Sequence, residues 1–345
     1  MKVLHVLSSN RFSGAENVVC QIISMFKNDQ EMEMAYCSLD GEISKALSER
    51  NIKFFPVLKL NKKELKKVIK TFNPDIVHAH DMRASFVSAQ ACGKVSLVSH
   101  IHNNAFDSRG LTVKSIAYLF AARKAKHIFW VSKSSFEGYI FNKFFQKKSS
   151  ILYNIIDIDS LYEKMKKDTN EYSYDIVYLG RLTYQKNPER LIEIIGSVVS
   201  QRPQTKIAII GTGELEKQIR GLIASKHLEN NIDMLGFKSN PLKILYDSKV
   251  MIMTSRWEGT PMCALEAMAL GVPVVTTPVD GLKDLICNDK NGYCCNNDQE
   301  LANKILQYLE NSDIHKRLSN QQIEMSKVWN NMLKYKNSIY EAYTK

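Results

Sequence analysis

The chain has 345 residues, 44% hydrophobic and 24% charged, which excludes a disordered or low-complexity protein and is more than one ordinary core holds. No apolar run approaches the roughly eighteen residues of a membrane-spanning helix, and the opening Met1–Leu7 run, broken by His5, is too short and polar for a signal peptide. Seven cysteines, an odd number with no C-x-x-C pair, read as free thiols in a reducing compartment, so the expected location is cytosolic. The net charge of +11 falls almost wholly in residues 1–170, where 26 Lys+Arg stand against 16 Asp+Glu.

Apolar, strand-like runs occur at Lys2–Leu7, Met32–Leu39, Ile76–His80, Leu97–His102 and His127–Val131, and resume at Asp175–Leu179, Lys206–Ile210, Val250–Thr254 and Pro273–Thr276. Amphipathic segments such as Glu189–Ser200 and Glu300–Glu310 lie between them. Strands alternating with helices imply parallel sheets covered on both faces. The polar stretch around 163–173 divides the chain into a domain over 1–162 and a second over 173–330. The tail, roughly 317–343, reads as one helix with Trp329, Met332, Tyr335 and Tyr340 as packing residues, and 331–345 is expected to return to the first domain. The expected fold is α/β, two doubly wound domains, with ligands beyond the carboxyl ends of the strands.

In that position the first strand runs into Ser13-Gly14-Ala15-Glu16, a capping box at a helix start, where Gly14 leaves backbone N–H groups open to an anion. The lysine-rich segment Lys59–Lys70 puts Leu65, Val68 and Ile69 on one helical face, and Phe141–Lys148 mixes aromatics with lysines. Such faces suit solvent, an anionic membrane or an acidic ligand; no nucleic-acid module is legible. His78, His80, His100 and His102 end two strands, each pair on one face. Four imidazoles suggest zinc, but without Cys or acidic ligands at metal spacing nearby they read as hydrogen-bond partners, His102 being best placed for a polar substrate beside Asn103-Asn104. Asp157-Ile-Asp159 spells D-x-D but sits near the domain junction, away from other oxygen ligands.

In the second half, Arg181 and Lys186 share a short loop that ends with Asn187 as N-cap and Pro188 as the first helical residue. Two cations beside a helix start suit a diphosphate. Gly211-Thr-Gly213 permits close backbone approach, and Phe237 after Gly236 could offer a ring to a nucleobase. The richest segment is Thr254–Pro273. Thr260 is read as capping a helix begun by Pro261 and ended by Gly271, with Glu258 before the helix and Glu266 within it. Eight positions at helical rise separate the two carboxylates by about 10 Å or more, too far for a paired-carboxylate hydrolase. The spacing suits two anchors for the diols of an elongated polyhydroxylated ligand.

As a set, Gly180-Arg181-Leu182 with Gln185-Lys186-Asn187, Gly211-Thr-Gly213-Glu214, and Glu258-Gly259-Thr260-Pro261 through Glu266 to Gly271-Val-Pro273 resemble the retaining glycosyltransferases of family 4, over essentially the whole chain. The last stretch matches the family's E-x7-E signature. The resemblance implies the GT-B fold, two Rossmann-like domains facing each other across a cleft. It implies that Arg181 and Lys186 bind a donor diphosphate, Glu266 the ribose, Glu258 the transferred sugar and His102 that sugar from the other domain. Gly14, Gly211, Phe237, Gly259 and Thr260 complete the implied donor site, and no metal or other cofactor is needed. The expected reaction moves a hexosyl or N-acetylhexosaminyl group from a nucleotide-diphospho-sugar, a UDP-sugar being favoured, to a saccharide or lipid-linked saccharide. The setting expected is bacterial surface polysaccharide synthesis (capsule or exopolysaccharide), at the inner membrane face as a peripheral protein. A same-fold epimerase and a non-catalytic basic protein that binds membranes or nucleic acid are the alternatives. Ser13-Gly14 replaces the usual two glycines, and Asn154-Ile155-Ile156-Asp157 the usual Asn-Gly-Ile-Asp. As loop residues, Lys186 and Glu258 are expected to tolerate Ala with little change in thermal unfolding.

Overall fold

A computed structural model of the protein describes residues 1–103 and 108–345, so Asn104 lies outside the described residues. The chain divides into two compact units: Met1–Asn154 with Met332–Lys345, and Ile155–Asn331. The division thus precedes the polar stretch at 163–173. Ile156, Leu161 and Met165 bury their side chains in the second unit's core, so the helix Ile158–Lys166 belongs there despite its polar outer face. Asp157 caps this helix by accepting from the Ser160 N–H at 3.0 Å.

Among the described residues, the first unit has seven strands: β1 (Lys2–Val6), β2 (Glu33–Leu39), β3 (Phe54–Val57), β4 (Ile76–His80), β5 (Ser96–Ile101), β6 (His127–Trp130) and β7 (Ser149–Ile151). They pair in the order β3-β2-β1-β4-β5-β6-β7, all in parallel. The second unit has β8 (Ile176–Leu179), β9 (Ile207–Ile210), β10 (Ile232–Gly236), β11 (Val250–Met253), β12 (Val274–Thr276) and β13 (Gly292–Cys294), in the parallel order β10-β9-β8-β11-β12-β13. Central strands such as β9 and β11 are buried along their whole length, because helices cover both faces of a parallel sheet. In each unit the chain winds outward from its first strand and then returns beside it, so the order reverses between β1 and β4 and between β8 and β11. That reversal opens a crevice at the strands' carboxyl ends.

The tail is two helices, Ser312–Trp329 and Met332–Thr344, broken at Asn330-Asn331. Asn330 turns its carboxamide Oδ1 to accept from Ile156 N at 2.8 Å. The last helix packs in the first unit through Tyr335, Ile339 and Tyr343, whereas Tyr340 faces solvent. No helix among the described residues is long and apolar enough to cross a membrane.

Candidate functional site

At the β8/β11 crevice, the loop after β8 carries Arg181 and Lys186 and the loop after β11 carries Glu258. Lys186 Nζ meets Glu258 Oε1 at 2.5 Å, with only 14% and 6% of the two side chains exposed. The same carboxylate oxygen accepts from Ser255 Oγ at 2.5 Å, and the Glu258 N–H donates to Asp280 Oδ2 at 2.6 Å. Burial alone would depress the Lys186 ammonium; Glu258 outweighs it and holds the group above the ordinary lysine value. The two loops are also joined through backbone: Arg256 N donates to Gln185 O at 2.8 Å, and Gln185 Nε2 to Trp257 O at 3.0 Å.

Asn187 adopts a left-handed backbone (φ 53°, ψ 54°) and does not cap the helix Pro188–Gln201 with its side chain. Instead its Oδ1 accepts from Arg256 Nη2 at 2.8 Å, while the guanidinium of Arg256 lies over the Tyr184 ring at 4.3 Å. Asparagine suits this position because it tolerates positive φ. Arg181 is exposed and held by Gln185 Oε1 at 3.3 Å, so its charge is presented to solvent beside the buried pair.

The helix Met262–Ala269 starts beyond β11. Pro261 occupies its N-cap, one residue later than Thr260, and Thr260 is buried in the turn before it. Glu266 points from this helix into a desolvated position that pushes its carboxyl up to about 7, Lys164 opposing the shift. The Cys263 thiol one turn earlier is raised to about 12 by burial and feels Lys186, Glu258 and Glu266. These four groups therefore share one electrostatic neighbourhood.

The glycines serve packing. A Cβ on Gly211 (φ 134°) would stand 2.0 Å from Gly180 O, and one on Gly213 2.2 Å from Leu182 O. The turn after β9 is pressed onto the Arg181 loop, with Leu182 N donating to Thr212 O. Gly259 O lies 2.3 Å from where a Gly281 Cβ would be. Phe237 follows β10 and is exposed, its ring presented at the sheet's edge.

In the first unit, Ser13 and Glu16 form the capping box of the helix Gly14–Met25, with Gly14 exposed at its first turn. His5, His78, His80, His100 and His102 are all buried, on β1, β4, β5 and just past β5. Burial holds His5 down to about 3 and His102 to about 4, and the other three well below the ordinary value. Two sets of ring nitrogens, His5/His78/His80 and His80/His100/His102, lie within 4.8 Å of one another. However, His78 stacks on His80 at 4.3 Å and His100 on His102 at 4.1 Å. Both ring nitrogens of His80, which belongs to each set, are engaged with other imidazoles. The rings instead form a hydrogen-bonded chain, His5 Nδ1 to His80 Nε2 at 3.0 Å and His80 Nδ1 to His102 Nε2 at 2.8 Å, while His78 Nδ1 meets the Tyr343 hydroxyl at 2.7 Å.

Residues 13–160 match the profile of glycosyltransferase family 4, and residues 162–325 that of glycosyl transferases group 1. An uncharacterised glycosyltransferase of Methanocaldococcus jannaschii is 31% identical over 310 residues, covering 78% of this chain and 74% of that relative. The chain belongs to the group 1, family 4 glycosyltransferases. The UDP-Gal:alpha-D-GlcNAc-diphosphoundecaprenol alpha-1,3-galactosyltransferase of Escherichia coli is 25% identical over 322 residues, 85% of this chain and 83% of the relative. Among solved structures, Anabaena HepE in complex with UDP and glucose superposes with a TM-score of 0.87 at 21% identity, covering 100% of each chain. TarM does so with 0.81 at 17%, covering 100% and 99%. These likenesses give the glycosyltransferase its GT-B fold.

Within the second unit of the glycosyltransferase, Lys186 and Glu258 are in contact, Glu266 shares their electrostatic surroundings through Cys263, and Arg181, Gly259 and Thr260 stand on the same loops. Ser255, Asp280 and Arg256, which orient the carboxylate and the loops, were not legible in the sequence. Asp280-Gly281 carries a turn dipeptide, but nothing in it signals a partner 22 residues back. The His5 and His80 links behind His102 were not legible either. The alternation of His78 with His80 placed them on one face, and only strand register adds His5 from β1.

Proposed function

We propose that this glycosyltransferase transfers a hexosyl or N-acetylhexosaminyl group with retention of anomeric configuration, without a metal. The observation that carries this reading is the buried Lys186–Glu258 pair at the β8/β11 reversal, with Glu266 raised toward neutrality on the next helix. A UDP-sugar is the donor, Arg181 and Lys186 holding its diphosphate. Glu266 accepts hydrogen bonds from the ribose diol, and Glu258 from hydroxyls of the transferred sugar. Phe237 offers a face to the base. Gly14 and His102 are assigned by resemblance to a phosphate and a sugar contact. The C1–oxygen bond to the diphosphate breaks, the acceptor hydroxyl oxygen bonds to C1, and its proton goes to the departing phosphate. Negative charge accumulates on the leaving group, where two fixed cations stabilise it more in the transition state than before it.

The acceptor is a saccharide on a lipid carrier, in bacterial surface polysaccharide synthesis with the enzyme peripheral at the inner membrane face. The E. coli relative, whose acceptor by name is a GlcNAc-diphosphoundecaprenol, supports this. A thermal-shift screen against UDP-, GDP-, ADP- and dTDP-sugars, with and without EDTA, tests the donor. A ligand at a hundred times its dissociation constant adds about 2.7 kcal/mol, and the shift is expected for UDP-sugars, insensitive to EDTA and lost in Glu266→Ala. A shift that requires metal, or that survives Glu266→Ala, overturns the site. Product NMR of the new glycosidic bond decides retention.

A further inference from the structure

The helix Val113–Lys124 exposes apolar side chains as well as burying them. Ser115, Tyr118, Ala121 and Ala122 are buried, and Leu119 packs partly buried against the core. Val113, Ile116 and Phe120 point outward, exposed by 87%, 54% and 50%. A helix on a water-facing surface carries the opposite pattern. Leu111 just before it, and Ile140 and Phe144 from a second segment, are exposed too. The two segments are tied together: Ile140 N donates to Ser108 O at 3.2 Å, Tyr139 Oη to Ser115 O at 3.0 Å, and Lys148 Nζ to Arg123 O at 2.9 Å. Contiguous exposed apolar area of this kind marks an interaction site.

The charge around it selects the partner. Residues 108–148 contain nine Lys+Arg and a single acidic residue, Glu137, which is already paired with Lys133. Arg123, Lys143 and Lys147 are exposed on the same two segments as these apolar side chains. A protein partner would usually need acidic patches matched to it. A bilayer with anionic headgroups supplies both the negative layer and the apolar layer beneath it, and long basic side chains can reach the first while the helix sits in the second.

We propose that the helix Val113–Lys124 and the segment 140–148 form a membrane-docking face that inserts Ile116, Phe120 and Phe144 into the headgroup boundary of an anionic bilayer. This deepens the lipid-linked acceptor reading and rests on it, because a membrane-embedded carrier must be met at its surface. The lysine helix Lys62–Phe72 has a different character. Its apolar residues Leu65, Val68 and Phe72 are buried in the core, so only charge remains outside and it adds attraction without insertion.

The test is sedimentation of the full chain with vesicles of phosphatidylcholine and phosphatidylglycerol, against phosphatidylcholine alone, for wild type and Ile116→Ser/Phe120→Ser. These sites are exposed, so the variant folds. Expected are binding to the anionic vesicles only, a loss on the order of tenfold or more in the variant, and an unchanged UDP-sugar thermal shift. In Phe144→Trp/Trp257→Phe/Trp329→Phe, tryptophan emission should move to the blue on vesicle addition and be quenched by bromine on the acyl chains. Wild-type binding retained by the double variant, or an indole at position 144 that does not respond, overturns insertion. A dimer in solution that the double variant dissociates, without vesicle binding, makes this face an interface between copies of the chain. Vesicle binding with no thermal shift from any nucleotide sugar would refute the donor reading and leave the surface standing.

Discussion

The Lys186–Glu258 contact sets stability as well as chemistry, and a double-mutant cycle separates the two. Lys186→Met leaves the Glu258 carboxylate buried with Ser255 Oγ as its remaining side-chain donor; Glu258→Gln leaves the ammonium without a counter-charge. Removing one partner of a buried pair costs about 3–5 kcal/mol. The lower end applies here, because 14% of the Lys186 side chain is exposed and the serine still donates. At about 2–4 °C per kcal/mol for a unit of this size, each single variant should melt roughly 6–12 °C lower. The double variant Lys186→Met/Glu258→Gln removes both charges and should recover part of that loss, a coupling of about 1–3 kcal/mol. The pair raises the lysine pKa, so its stabilisation is full below the unfolded lysine value and is lost as pH rises through the higher folded value. The assay is urea and thermal unfolding by circular dichroism, run in parallel with the UDP-sugar thermal shift, which should vanish in all three variants. Single variants that melt like wild type would refute the buried pair and restore the expectation drawn from sequence that these loop side chains matter little for thermal stability. Strictly additive losses would mean that the two residues do not interact.

Glu266 is raised in the fold above its unfolded value, so the second unit should lose stability as pH rises from about 4.5 to about 7 and then level off. A shift of that size is worth at most about 3–4 kcal/mol. Glu266→Gln should flatten this dependence in urea titrations and abolish donor binding; an unaltered pH slope would place the carboxylate in water. The buried histidines act in the opposite sense. Their folded values lie below 6.5, so the unfolded first unit binds more protons and its stability should fall as pH drops from about 6.5 toward about 4. Urea unfolding read from Trp130, with Trp257 and Trp329 replaced by Phe, should show a lower midpoint at pH 5 than at pH 7; the reverse order would refute the neutral cluster. Gly211→Ala drives a Cβ to 2.0 Å from the backbone of Gly180. It should therefore displace the Arg181 loop and weaken UDP-sugar binding even where the protein stays folded, and a wild-type affinity would show that the two turns can separate.

The runs of the inner strands were legible because burial on both faces of a parallel sheet favours apolar residues along most of each strand, and their boundaries shift by only a residue. The strands that escaped notice, β3, β7 and β13, are short edge strands; Phe54-Phe55-Pro56-Val57 even contains a proline, which only an edge tolerates. The tail was read as one helix because its amphipathic period runs through residues 330–331. The break comes from the side chain of Asn330 meeting the backbone of Ile156, far away in sequence. The polar stretch at 163–173 looked like a linker because sequence shows the charges on the helix Ile158–Lys166 but not the core that its other face meets.

Composition and local pattern alone therefore determined the class of fold and the loops on which charged groups stand at strand ends, since burial and turn chemistry act on residues a few positions apart. Lys186 and Glu258 are separated by 72 residues, and His5 and His80 by 75. Which charges neutralise one another, which imidazoles link into a chain and which glycines two loops require were decided only when β8 came to lie beside β11 and β1 beside β4. A pairwise distance of about 3 Å, the reach of a hydrogen bond, is a property of strand order and register, and no local spacing in the chain encodes it.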